Sequence, residues 1–277
     1  MIKRERGARV SASLASALLI VLAGNAHATE APQSDGVMVG KPSVLRNLVP
    51  AKQLEGQASL QYGSMIKQAE SQHALATDTN KQLKRLRAIA AKMIPYATKF
   101  NPRANQWKWD VNLIRSNQLN AFCMPGGKIA VYSGLLETLK LTDDEVAIVL
   151  AHEIAHALRE HARARMAKGE LTNLGVSLLG QSVGQGRYAE AFHAGGSLLT
   201  LSFSRHDETD ADIVGLELSS RAGYDPRAGI TLWEKMTASN KGAPPQWLST
   251  HPSGKNRAQE IQKHLPEVMP LYEKARS

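Results

Sequence analysis

Apolar residues recur at threes and fours between about Ala51 and Lys99, with Leu83, Leu86, Ile89, Ala90 and Met93 in one register and Pro95 near its end, and predict two packed helices. The period changes at Trp107. Trp107, Trp109, Val111 and Leu113 alternate with Lys108, Asp110 and Asn112, which predicts a half-buried strand ending at Ile114. A second extended run, Leu119 to Met124, meets the turn signal Pro125-Gly126-Gly127, and Lys128 to Tyr132 continues as a third strand. The expectation is a small antiparallel sheet.

Thr142 and Glu145 form a capping box, and Asp143 and Asp144 add negative charge where a helix dipole favours it. A long helix is predicted from there through Val146, Val149, Leu150 and Ile154 to about Lys168, with Gly169 as its left-handed stop. Leu171 to Leu201 is rich in Gly, Ser, Leu and Ala, but polar residues from Gln181 to Glu190 divide it into two apolar pieces too short to cross a bilayer, so it reads as a helical hairpin. Further helices are expected from Arg205 to Arg221 and, after Asp225-Pro226, around Leu232 and Trp233. Together these make an α+β fold that is mainly helical.

The N-terminus follows another logic. Lys3, Arg4, Arg6 and Arg9 precede an apolar run from about Leu14 to Ala23 and then Ala26-His27-Ala28, the layout of a secretory signal peptide with an A-x-A cleavage site. We therefore expect residues 1–28 to be a signal peptide, residues 29–50, with Pro32, Gly36, Gly40, Pro42 and Pro50, a flexible tether, and residues 51–277 the folded domain. No Cys stands where a lipidated one would, so the expected location is periplasmic, by export through a cleavable signal and without a lipid anchor.

Composition adds little. The net charge of +9 falls to +6 without the four basic residues and one acid of the leader, and no nucleic-acid motif accompanies it, so nucleic acid is not an expected partner. Cys123 is the only cysteine, which excludes an internal disulfide and reads as a buried, inert thiol.

The chemistry lies in the strongest helix. His152-Glu153-Ile154-Ala155-His156 puts two imidazoles one turn apart on one face, the separation at which they can share a zinc ion, with Glu153 beside the metal as general base. The pattern with a third His further along the same helix is absent: Arg159 and Ala162 occupy its Gly and His positions, and His161, one residue early, reads as a surface residue. The third ligand must come from elsewhere. Glu208 is the best candidate, because Asp212 follows one turn later on the same predicted helix and can accept the outer N–H of a ligating histidine. Asp207 and Asp210 read as an exposed acidic face.

His152-Glu-Ile-Ala-His156, Glu208-Thr-Asp-Ala-Asp212, and His251-Pro252 with Arg257 together resemble the HtpX and CAAX-prenyl-protease type of zinc metallopeptidase, in its small periplasmic, LoiP-like or BepA-like branch. The resemblance covers roughly Ala51 to Leu265, and includes Asn120-Ala121-Phe122 and the stretch from Gly126 to Gly134. It implies a zincin domain of gluzincin type, with the sheet beside the active-site helix. One Zn2+ would be held by His152, His156 and Glu208, with Glu153 as catalytic base, Asp212 and Arg257 behind the ligands, His251 near the open metal position, and Asn120, Ala121 and Phe122 as an edge strand for substrate. Many relatives carry transmembrane helices and this chain lacks an apolar stretch of that length, so activity inside a bilayer is not expected.

The implied reaction is hydrolysis of peptide bonds in exported or misfolded envelope proteins. An extended substrate would add as a strand near Asn120 to Cys123. His251 would either donate to the oxyanion or bind the metal at rest until substrate displaces it. The rival reading is a zinc-containing chaperone or assembly factor with little proteolysis, which Glu153 argues against, since binding needs no base. Envelope assembly complexes and peripheral contact with a membrane through the hairpin are compatible with either.

Overall fold

The computed structural model describes residues 35–179, 198–239, 246–252 and 256–277. The expected signal peptide, the start of the tether and most of the expected hairpin lie outside these residues.

The elements follow in the order α1 Ala51–Ser71, α2 Lys81–Met93, β1 Asp110–Ile114, β2 Ala121–Met124, β3 Lys128–Tyr132, α3 Ser133–Thr138, α4 Asp143–Leu158, α5 His161–Leu179, α6 Arg205–Arg221, α7 Ala228–Ser239, α8 Gln246–Thr250 and α9 Arg257–Arg276. The mainly helical α+β expectation is met. The sheet, however, is mixed rather than antiparallel: its order is β1-β3-β2, with β2 antiparallel and β1 parallel to β3. The chain reverses after β1 and again at the Gly126-Gly127 turn, so β3 returns in the direction of β1 and inserts between the other two.

Both faces of the sheet are covered. Val111, Leu113, Ile129 and Val131 join the main core with α2 and α4, while Ile114, Met124 and Ala130 pack with Ala58 and Tyr62 of α1. Asn112, expected on a solvent face, is buried there and donates through Nδ2 to the Tyr62 hydroxyl, which donates to the Ile129 carbonyl at 2.6 Å.

Helix α4 is the axis of the molecule. The Thr142 and Glu145 capping box is present at its start, and every residue from Glu145 to Leu158 is buried. It packs along α6, and the contact is close because position 215 is glycine: a Cβ there would lie 3.0 Å from the His152 backbone nitrogen. That approach brings Glu208 and Asp212 across from His152 and His156.

The long helix expected to run to Gly169 is broken. α4 ends at Leu158, Glu160 takes a left-handed φ of 57°, and α5 starts afresh at His161, with Gly169 inside it. Residues 35–50, within the stretch expected to be a tether, carry a 3-10 turn at Val44–Leu48 and touch the helical body at several points. The Val37 N–H donates to the fully buried Glu217, Arg159 donates to the Gly40 carbonyl, and Arg163 donates to the Val49 carbonyl.

Candidate metal centre

Four donors converge between α4, α6 and α8: His152, His156, Glu208 and His251, all buried, with one ligand atom of each within 4.8 Å of every other. The separations are more telling. His152 Nε2 lies 3.1 Å from His156 Nε2 and 3.4 Å from His251 Nδ1; Glu208 lies 3.1 Å from His251 Nδ1, 3.4 Å from His156 Nε2 and 3.6 Å from His152 Nε2. Donors about 2.0–2.1 Å from a tetrahedral zinc stand about 3.3–3.4 Å apart, so this arrangement fits that ion. Three imidazoles and one carboxylate are also a donor set zinc takes.

The electrostatics agree. Burial alone would raise the Glu208 carboxyl, but hydrogen bonds to His152, His156 and His251 hold it well below the usual carboxylate range, so it stays an anion. For His156, burial dominates and keeps the ring neutral, as a ligand must be. For His152, burial lowers the pKa, yet Asp212 and Glu208 outweigh it and push it up to about 9. The field at that nitrogen therefore favours positive charge, which a bound cation satisfies in place of a proton.

Outer contacts orient these ligands. His152 Nδ1 meets Asp212 Oδ1 at 3.0 Å. Arg257, the first residue of α9, donates to Asp212 Oδ2 at 2.7 Å and to Glu208 Oε2 at 2.6 Å, and its guanidinium sits 3.9 Å over the Trp233 ring. A cation at a helix N-terminus is unfavourable to the dipole, and two carboxylates offset this. Asp212 and Arg257 thus lie behind His152 and Glu208.

Glu153 points to the same space, with Oε1 3.6 Å from His251 Nε2. Its nearest partner is Trp247, whose indole N–H donates to Oε1 at 2.6 Å and whose ring stacks on His251. Sequence reasoning missed Trp247; its only signal was its position four residues before His251. Phe203, which lies over the His156 ring at 4.0 Å, was missed too. His161 and Asp210, expected at the surface, are buried and bonded to each other at 3.0 Å. The correction follows from the break at Glu160, which turns His161 back toward His156. Asp207 is the N3 residue of a capping box with Ser204.

A cleft opens beside these groups and is lined by Asn120 and by Ala121 and Phe122 of β2 together with Glu153, His156 and His251. β2 stands at one side of the sheet order. Cys123 lines the same cleft and is buried, and burial pushes its thiol well above its ordinary range.

Residues 80–265 match the model of a protein family described as Peptidase family M48. The chain is 40% identical over 163 residues to the mitochondrial metalloendopeptidase OMA1 of Schizosaccharomyces pombe, covering 58% of this chain and 48% of that one. It is 38% identical over 167 residues to the Arabidopsis thaliana protein of the same name, covering 59% and 33%. To the beta-barrel assembly-enhancing protease of Yersinia pestis it is 33% identical over 172 residues, covering 55% and 35%. The chain thus spans at most about half the length of these relatives. The expectation of a periplasmic location is corrected by this finding: the relatives matched at 40% and 38% are mitochondrial by name, so the likeness does not carry a bacterial periplasmic assignment.

Proposed function

Because this chain belongs to peptidase family M48, we propose that it is a zinc-dependent endopeptidase acting on extended or misfolded polypeptide, with residues 51–277 as its peptidase domain. The observation that carries the reading is the placing of Glu153 beside a donor set with tetrahedral spacing. His152, His156 and Glu208 would hold the ion. Zinc, when bound, supplies a Lewis acid and lowers the pKa of a water from about 15.7 to about 7.

The chain's own groups do the rest. Glu153 takes a proton from the attacking water as its oxygen adds to the peptide carbonyl carbon, then hands that proton to the departing amine as the C–N bond breaks. Trp247 fixes the orientation of the carboxylate meanwhile. Asn120, Ala121 and Phe122 line the cleft, so an extended substrate would lie along β2 with little demand on sequence.

His251 has a different place. Its Nδ1 lies among the donors, 3.1 Å from Glu208, while the residue also lines the cleft, so we assign it to a resting arrangement in which four protein donors close the site, and it must withdraw for catalysis. The same closure favours the second reading, a zinc-containing holdase for unfolded protein. Cleavage of casein by the full chain and by Glu153→Gln, with zinc content measured on both, separates them. A zinc-loaded wild type that cleaves while the variant does not supports the peptidase; zinc in both with cleavage by neither, even after His251→Ala, supports the holdase.

A further inference from the structure

The two ligating histidines of α4 are supported differently. His152 Nδ1 reaches a carboxylate directly, 3.0 Å from Asp212. His156 Nδ1 meets instead the Nδ1 of His161 at 2.9 Å, and His161 Nε2 meets Asp210 Oδ2 at 3.0 Å. Arg159 donates through Nε to Asp210 at 2.5 Å and through Nη2 to the Gly40 carbonyl at 2.5 Å. All four side chains are buried.

We infer that His161 is a positioning residue for the metal ligand His156, itself held by Asp210 and Arg159. The inference rests on the zinc-site reading above. The geometry leaves one consistent proton arrangement. His156 turns Nε2 to the donor cluster, so Nδ1 carries its hydrogen and donates it to the bare Nδ1 of His161. His161 then carries its hydrogen on Nε2 and donates it to Asp210 Oδ2, and Arg159 donates to the same carboxylate, through Nε to Oδ2 and through Nη2 to Oδ1. Each donor has an acceptor, and the chain ends on an ion pair.

The need for the intermediate follows from helix geometry. Asp210 and Asp212 are two residues apart on α6, a rotation of about 200°, which leaves Asp210 off the helix face from which Asp212 meets the ligating His152. On an unbroken helix His156 and His161 would also stand about 140° apart and could not meet. The left-handed Glu160 ends α4 and lets α5 carry His161 back over His156, where Phe203 covers the ring's face. The break therefore supplies the partner that His156 would otherwise lack. Through Arg159 the same chain reaches Gly40, so residues 35–49 become part of the support for the ligand.

An imidazole fixed in tautomer and plane is a stronger ligand, and loss of such support typically costs about 10–100-fold in metal affinity. The test uses the full-length zinc protein with His161→Phe, which keeps ring volume and removes both nitrogens, and His161→Gln, whose amide oxygen and nitrogen can replace the acceptor and the donor. Zinc affinity is read by competition with a chromogenic chelator, independently of cleavage, and the folding of each metal-free variant is read by its Tm. We expect His161→Phe to bind zinc about 10–100-fold more weakly with a metal-free Tm close to that of wild type, and His161→Gln to recover to within about threefold. Equal affinity for wild type and the Phe variant overturns the inference, as does a Gln variant as weak as Phe. Should the Phe variant fail to fold, 15N NMR of zinc-loaded wild type decides: a hydrogen on His156 Nδ1 and on His161 Nε2 is required, and the opposite tautomer of His161 overturns it. A zinc-loaded protein that cleaves nothing, even as His251→Ala, would instead overturn the peptidase reading and leave this one standing.

Discussion

Trp247 donates its indole N–H to Glu153 Oε1 at 2.6 Å while its ring stacks on His251 at 4.9 Å, so one side chain touches both the expected base and the fourth donor. Trp247→Phe keeps most of the ring packing and removes the donor. A hydrogen bond to a charged group contributes about 1.5–3 kcal/mol, and part of that is lost orientation of the base. We expect kcat to fall by about tenfold or more with zinc content and KM little changed. An unchanged kcat would mean that Glu153 is held by other contacts.

His251→Ala separates the two roles considered for this residue. With His251 as a resting ligand, the variant keeps stoichiometric zinc on His152, His156 and Glu208, yields it faster to a chelator, and cleaves casein at least as fast as wild type. Loss of an oxyanion donor would instead lower kcat by about 10²–10³. The ratio of cleavage rates at saturating casein decides between them.

Gly215→Ala tests the close approach of α6 to α4. Alanine has the higher helix propensity, by about 1 kcal/mol, so on an exposed face this change would stabilise. Here the new Cβ would lie 3.0 Å from the His152 nitrogen and 3.2 Å from its Cα, both backbone atoms that cannot swing aside. Overpacking of this kind costs about 1–3 kcal/mol. We expect a lower Tm and weaker zinc binding together, because the displaced helix carries Glu208. Raised stability with unchanged zinc affinity would show that the helices can separate freely.

Which of these features could be read in the chain alone depends on how local they are. The H-E-x-x-H helix, its capping box, and the Glu208 and Asp212 pair rest on spacings within one or two turns, and the metallopeptidase resemblance built on them is borne out by the match to family M48. Trp247 meets Glu153 across 94 residues, with nothing in either neighbourhood to announce it. The helix break falls at Glu160, with no Gly or Pro to mark it, and His161 was misread for that reason alone. Strand order likewise depends on where β3 inserts, which alternation along a strand does not encode.

Glu145 provides a test in pH. Its carboxylate accepts from the Thr142 N–H at 2.8 Å, from the Thr231 hydroxyl at 2.9 Å and from Lys235 Nζ at 2.7 Å. Burial would raise its pKa, but the Lys235, Thr142 and Thr231 hydrogen bonds outweigh burial and hold it below the usual 4.5. A carboxyl with a depressed folded-state pKa stabilises the fold fully above its unfolded pKa, and that stability is lost as pH falls through the folded one. Glu145→Gln keeps an acceptor for the Thr142 N–H, as capping boxes allow, and removes only the charge. At pH 7 the variant should be less stable by on the order of 1 kcal/mol, since Lys235 is partly exposed and the pair is screened. The difference should start to shrink below about pH 4.5 and vanish once Glu145 is protonated in the folded protein. Denaturant melts of both proteins in chelator, across that range, exclude any contribution from metal loss. A gap that persists undiminished into strong acid would mean that the substitution acts through packing, not charge.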